Sequence, residues 1–427
     1  MSFSRRVTVL VAALVATHLS VAAQALFPPL TLDWSVQAPP PAEGQAAGGF
    51  YATPVLIGDT AYAVHTRQGV GAFALADSKV RWGQGLAGQA YPGLAAEGNL
   101  AVAVSGTGDI YGLDRATGTE RWQAQLPGTI YASPVIDDGV VIVGTGDTGL
   151  VAAFNGADGR KLWQQQLGDR LGSALAVAGG TVYAPCYDHQ LYALDLRTGM
   201  PLWRYQADTV LDSRPLAVAD RVYVKQTDDV LVALRAADGE RLWATQPRRQ
   251  VADNAPSTWS TLALANGRLL TAGYDGALLA VSAVNGNLLW ETAPRHFSSA
   301  PAIAGDLGYV GGKDGALTAV DLTNGEIVWR WSPPAAVQPG QLSGIMWPPV
   351  IVGRNLLAAS LDGSLYAFTG TTDEAAWTMA RAEAAAAAQA AAERQAQFER
   401  GWRDLLGPAV EGGLQPTGEE LVAVVGL

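Results

Sequence analysis

The sequence predicts an all-β chain. The expected fold is an eight-bladed β-propeller of four-stranded antiparallel blades, closed by an N-terminal strand and followed by a C-terminal α-helical extension. Three observations carry this. Tryptophan recurs at 82, 122, 163, 203, 243, 290 and 329, at steps of 40, 41, 40, 40, 47 and 39 residues. Ten residues before each stands a small residue: Ala72, Gly112, Ala153, Ala193, Ala233, Ala280 and Ala319. Four residues before it stands glycine in six cases (Gly118, Gly159, Gly199, Gly239, Gly286 and Gly325), with Ser78 the exception. Self-similarity at such a period is the mark of a repeat architecture.

The interior of a module explains its length. SPVIDDGVVIVGTGDTGLVAAFNGADGRKLWQQQL, ending just past Trp163, holds four short apolar runs separated by DDG, GDTG and NGADG. Asp-Gly and Asn-Gly supply the positive φ that tight hairpin turns require. Four strands in about 40 residues make one small antiparallel sheet, which cannot bury both faces alone. Packing such sheets radially around an axis buries them. The tryptophans are then expected to be structural, each filling the gap beside the next sheet, with the small residue leaving room.

Taken in chain order, residues 1–25 read as a signal peptide. Arg5 and Arg6 precede an apolar run from Val7 to about Val21, and the small residues around Ala25 mark the cut. No cysteine lies nearby, so no lipid anchor is expected there, and the apolar run is too short for a comfortable membrane span. The propeller is expected over 26–370. Seven modules end in the seven tryptophans. An eighth begins at Pro348 but offers only three strand-like runs. Its fourth strand is expected at about 31–36, bringing Trp34 into the slot for which Trp377 also competes. Closure of that kind leaves no free sheet edge. Residues 371–406 are expected to form an Ala-rich helix, opened by a Thr371–Glu374 capping box and stopped by Gly407-Pro408. Phe398, Trp402, Leu405 and Leu406 would share one face near its end. A tail follows over 407–427.

Composition narrows the function. Apolar residues make up 49% of the chain and charged residues 16%, as for a large buried core. The net charge is −11, and removal of Arg5 and Arg6 with the leader would leave −13. An acidic chain with no basic run repels phosphate backbones, so nucleic acid is not an expected partner. Cys186 stands alone, which excludes an internal disulfide framework and any CxxC metal site. The four histidines, 18, 65, 189 and 296, have no metal-ligand spacing. Asp195, Asp238, Asp275, Asp314 and Asp362 fall in repeat turns, where aspartate is an ordinary structural choice. No catalytic or metal site is expected.

The repeat, of the form small–apolar–Asp/Asn–x–x–Thr/Asp–Gly–x–x–x–Trp and clearest in ALDLRTGMPLW at 193–203, resembles the tryptophan-docking repeats of the pyrroloquinoline-quinone (PQQ)-like propeller superfamily. Within it, the size, the leader, the eight modules and the N-terminal closing strand are most similar to BamB-type propellers of the outer-membrane barrel assembly machinery. The resemblance covers roughly residues 31–370. It implies an exported, non-enzymatic scaffold for protein–protein interaction, in the periplasm or in an extracellular or other cell-envelope location. It also implies an envelope protein partner, such as a barrel-assembly component, and no cofactor. The alternatives are a propeller that binds or senses quinone (PQQ) or another small ligand, or a quinoprotein dehydrogenase. Those dehydrogenases carry PQQ, a Ca²⁺ with acidic and amide ligands, a catalytic Asp and adjacent cysteines; a chain with one cysteine lacks the last feature.

Interaction surfaces are therefore the expected sites. Tyr51, Tyr91, Tyr131, Trp259, Phe297 and Trp347 precede the first strand of several modules, where a propeller places the mouth of its channel. They form a candidate rim for peptide or small ligand, with wedging between loops as the alternative role. The resemblance further implies partner contacts on the loops after the third and fourth repeat tryptophans, matched here by Leu167, Arg170 and Asp212. The longest inter-tryptophan step carries Arg248 and Arg249, a candidate docking loop.

Overall fold

A computed structural model describes residues 26–37, 50, 52–65, 69–86, 93–211, 213–247, 261–273, 275–293, 296–333, 344–379, 381–382, 389 and 393. The chain divides into two units, 1–372 and 373–427. In the first, eight four-stranded antiparallel sheets follow one another. Blades 1 to 7 are continuous in sequence, over 55–84, 94–125, 135–166, 176–206, 216–245, 263–291 and 302–331. Blade 8 takes three strands from Val350–Val352, Asn355–Ala359 and Ser364–Thr371, and its outermost strand is Phe27–Gln37. The closing strand thus runs longer than the expected 31–36.

Burial explains the strand sequences. The two middle strands of a blade are covered on both faces by neighbouring blades, so Val140–Gly144 and Leu150–Asn155 read as nearly continuous apolar runs. The outermost strand is covered on one face only, and Lys161–Gln166 alternates accordingly, with Trp163 among its inward residues.

The two sequence regularities around each tryptophan serve two different contacts. The small residue ten positions earlier is its direct cross-strand partner: Trp82 faces Ala72, Trp122 faces Gly112, and Trp163 faces Ala153. Trp203, Trp243, Trp290 and Trp329 face Ala193, Ala233, Ala280 and Ala319. Trp34 faces Ala367 in the same way, so it fills the outer slot of blade 8, while Trp377 lies in a helix. A β-bulge next to the tryptophan pair recurs in every blade, the closing strand included. A bulge re-aims the side chain beside it.

The glycine belongs to the preceding blade's tryptophan. Indole N–H groups of Trp82, Trp122, Trp163, Trp203, Trp243 and Trp290 donate to Arg115, Gly156, Leu196, Ala236, Ala283 and Leu322, all in the turn of the next blade, at 2.8–3.2 Å. The turn glycine lies against the ring: a Cβ on Gly159 would stand 2.6 Å from Trp122 Cε3, and its φ is 72°. Both the contact and the left-handed backbone require glycine. Trp34 donates to Leu75 at 2.7 Å across the closure, and there Ser78 adopts φ 59° without being glycine.

Blade 8 has no turn joining its third and fourth strands, because the fourth comes from the other end of the chain. Trp329 accordingly packs edge-on to Phe368, as does Trp331. Tyr309 donates its hydroxyl to the Leu26 carbonyl at 2.6 Å, whereas Tyr62 and Tyr223 in blades 1 and 5 donate to the turn carbonyls Arg115 and Ala283. The start of the closing strand stands in for the missing turn.

In the second unit, residues 374–379 are helical, as are 381, 382, 389 and 393. The helix begins later than expected: Thr371 ends a strand, and Asp373 is the N-cap, its Oδ1 accepting the Ala376 amide at 3.1 Å. Residues 398–427 and residues 1–25, where a signal peptide is expected, lie outside the described residues.

Candidate functional site

One mouth of the propeller is built by two kinds of loop, those entering each blade and those between its second and third strands. They are tied by a recurring backbone bond. Amides of Gly146, Tyr187, Thr227, Lys313 and Leu361 donate to the carbonyls of Thr129, Arg170, Val210, His296 and Gly344, at 2.8–3.0 Å. Aspartates in the second kind of loop brace their own turns: Asp188, Asp275, Asp314 and Asp362 each accept the amide two residues on. The turn role expected for Asp195 and Asp238 is also present, through Thr198 and Glu240.

The described candidate residues divide clearly. Tyr131 is 55% exposed, its ring lying against Gly146, where a Cβ would stand 2.3 Å from it. Trp347 is half-buried. Phe297 corrects the rim expectation: it is 1% exposed and packs with Ala272, Leu278, Val310 and Val320. Its ring wedges blades together, the other role open to these aromatics. Leu167 is likewise no contact residue, being 6% exposed in the core between blades 3 and 4. Tyr51, Tyr91, Trp259, Asp212, Arg248 and Arg249 lie outside the described residues.

Leu167 nevertheless shapes the surface. It and Leu171 are both buried, pinning the two ends of the loop 167–171, and Leu171 occupies the space that a Cβ on Gly144 would need. Asp169 and Arg170 between them are exposed. The Arg170 guanidinium lies over the Tyr187 ring, 3.9 Å from its centre. The next loop is held differently: Gln226, 1% exposed, accepts the amides of Asp208 and Thr209 at 3.1 and 3.0 Å. Sequence reasoning passed over Gln226, Tyr187 and the buried Lys225–Asp229 ion pair (2.7 Å), whose lysine also donates to Ala272 in blade 6. A lysine ending the apolar run RVYVK was the one signal available.

The thiol and a neighbouring phenol of this loop region are held protonated. Burial pushes the Cys186 thiol up to about 11, and its Sγ donates to the Asp169 carbonyl. Burial and the Asp188 carboxylate push the Tyr192 hydroxyl up to about 12. Among the described residues, no group of three His, Cys, Asp or Glu lies close enough to hold a metal ion.

A family model described as "Outer membrane protein assembly factor BamB" matches residues 66–166, 147–295, 249–343 and 296–401. The chain belongs to this family. The outer membrane protein assembly factor BamB of Bordetella pertussis is 26% identical over 102 residues, 24% of this chain and 26% of that protein, so the match spans about a quarter of the relative. The crystal structure of BamB from Moraxella catarrhalis superposes with a TM-score of 0.65 at 20% identity, covering 80% of this chain and 99% of that one. Quinohemoprotein alcohol dehydrogenase from Comamonas testosteroni gives 0.62 at 15% identity, covering 82% and 77%. At such identities the superpositions establish the shared fold, which both a BamB and a dehydrogenase use. Membership of the BamB family rests on the sequence model. No helix among the described residues is long and apolar enough to cross a membrane.

Proposed function

We propose that this chain is an exported, non-enzymatic propeller scaffold that binds a protein partner of the cell envelope, a barrel-assembly component in the first instance. The observation that carries the reading is the loop 167–171. Its buried leucine ends fix the backbone, and its exposed Arg170 is already stacked on Tyr187, so little conformational freedom is lost when a partner docks. Tyr131, on the preceding loop of the same mouth, adds an exposed aromatic of the kind that anchors interfaces. Family membership supports an envelope location and the reading of residues 1–25 as a cleaved leader. The protonated, buried Cys186 is held by the Asp169 carbonyl as part of this loop's support rather than as a reactive thiol.

Affinity capture from envelope extracts tests the proposal. The mature chain should retain a barrel-assembly component, and Arg170→Glu should reduce that retention severalfold with the melting temperature unchanged. Capture that retains no such component would remove the scaffold reading.

A further inference from the structure

The innermost strands can be aligned by their pairing with the second strands, as Ala95 with Val102, Val135 with Ile142 and Leu216 with Tyr223. Two positions before the aligned residue, eight side chains stand at one level of the mouth. Seven of them are Gly, Ala, Ser, Thr or Pro, among them Gly93, Ser133, Ala174 and Ala300. Neighbours at this level touch: the Gly93 amide donates to Ser133 Oγ at 3.0 Å, and a Cβ on Gly93 would stand 2.4 Å from that oxygen. The eighth position, in blade 5, is Arg214.

Arg214 is exposed, and it makes no hydrogen bond or ion pair with any described residue. The protein around it nevertheless lowers its pKa through burial alone. Contact with solvent combined with crowding by protein is the environment of a narrow water-filled opening, and an uncompensated charge there is costly. The next two blades hold unpaired hydroxyls beside it in the alignment. Thr261 Oγ1, at the equivalent position in blade 6, is buried without a hydrogen-bond partner. So is Ser299 Oγ, one residue before Ala300 in blade 7, on a side chain that is 0% exposed. Lys313, in the loop between the second and third strands of blade 7, is half-buried and unpaired, and burial lowers its pKa too. Buried polar groups without partners call for an explanation. Two cations and two hydroxyls in three consecutive blades all lack an acceptor.

We propose that this sector of the channel mouth, Arg214 with Thr261, Ser299 and Lys313, is a binding site for a carboxylate. The guanidinium fork matches a carboxylate in two parallel hydrogen bonds, and the hydroxyls donate to its remaining lone pairs. A singly charged carboxylate is favoured over phosphate because the surrounding loops carry turn aspartates, Asp228, Asp275 and Asp314, which repel a dianion more strongly. The small residues elsewhere at this level suit a slender group, such as a free carboxylic acid or the end of a peptide chain. The site is independent of the loop 167–171.

Calorimetric titration of the full mature chain at pH 7 tests this with three probes: butyrate, a tripeptide with a free C-terminal carboxylate, and the same tripeptide amidated. Binding of butyrate together with the free-acid peptide shows that a carboxylate suffices; binding of the peptide alone identifies a chain terminus. Either supports the site, provided that Arg214→Ala weakens binding by roughly tenfold or more and Arg214→Lys by less. Arg214 makes no hydrogen bond or ion pair with a described residue, so Arg214→Ala should melt close to the parent, separating loss of binding from loss of structure. The proposal is overturned if neither acid binds, if the amidated peptide binds equally well, or if Arg214→Ala leaves affinity unchanged.

Discussion

The indole N–H of Trp34 donates to the carbonyl of Leu75 at 2.7 Å, joining the outermost strand of the last blade to the turn of the first. One side chain therefore spans the seam where the two ends of the propeller sequence meet. Trp34→Ala should lower stability by about 3–5 kcal/mol, the usual cost of emptying a large aromatic site. Trp34→Phe should cost less, since it removes the hydrogen bond but keeps most of the contact area. Urea denaturation monitored by circular dichroism would check both.

The turn glycines make a second prediction. Gly159 and Gly58 both have positive φ, but a Cβ would clash with Trp122 at the first and meet nothing within 4 Å at the second. Gly159→Ala should therefore destabilise more than Gly58→Ala. Conversely, Ser78→Gly should stabilise by about 0.5–1 kcal/mol, by relieving a left-handed backbone that a side chain disfavours. Melting temperatures of the three variants would decide.

The buried pair of Lys225 and Asp229 gives a third. Lys225→Met leaves a buried carboxylate without its cation and should cost about 3–5 kcal/mol. Adding Asp229→Asn should recover much of that loss. A double-mutant cycle in denaturant measures the coupling, and additive losses would show the pair to be energetically independent.

Alkaline pH should destabilise the protein. Native Cys186 titrates at about 11 and Tyr192 and Tyr366 at about 12, against ordinary values of 9.0 and 10.0. The folded chain thus keeps protons that the unfolded chain has released. This stabilisation is complete below about pH 9 and diminishes as pH rises towards 12. Melting temperature against pH would show the decline, and Cys186 should resist thiol reagents at pH 8 until the chain unfolds.

Much of this architecture was legible in sequence because it repeats. The tryptophan interval gave the blades, and the lack of a fourth strand-like run after Pro348 pointed to Trp34. Ala367, opposite Trp34, was visible as the small residue ten before Trp377, an equal spacing that left two claimants until pairing chose one. The small residue and the glycine looked like a single motif, although the glycine serves the neighbouring blade's tryptophan, a relation that only packing reveals. Phe297 read as surface from its loop position, and Leu167 from the family resemblance, yet both turn inward, because a loop must bury something to be held in place. Arg214 was invisible as an exception until strand pairing set the eight loop ends side by side.

Closure by the N-terminal strand is the claim on which the rest depends, and a cross-link tests it most directly. The Thr369 hydroxyl donates to the Asp33 carboxylate between the closing strand and its neighbour. In a Cys186→Ser background, Asp33→Cys with Thr369→Cys should form an intramolecular disulfide in the folded protein and raise the denaturation midpoint. A disulfide that forms only after unfolding, or only between molecules, would contradict the closure.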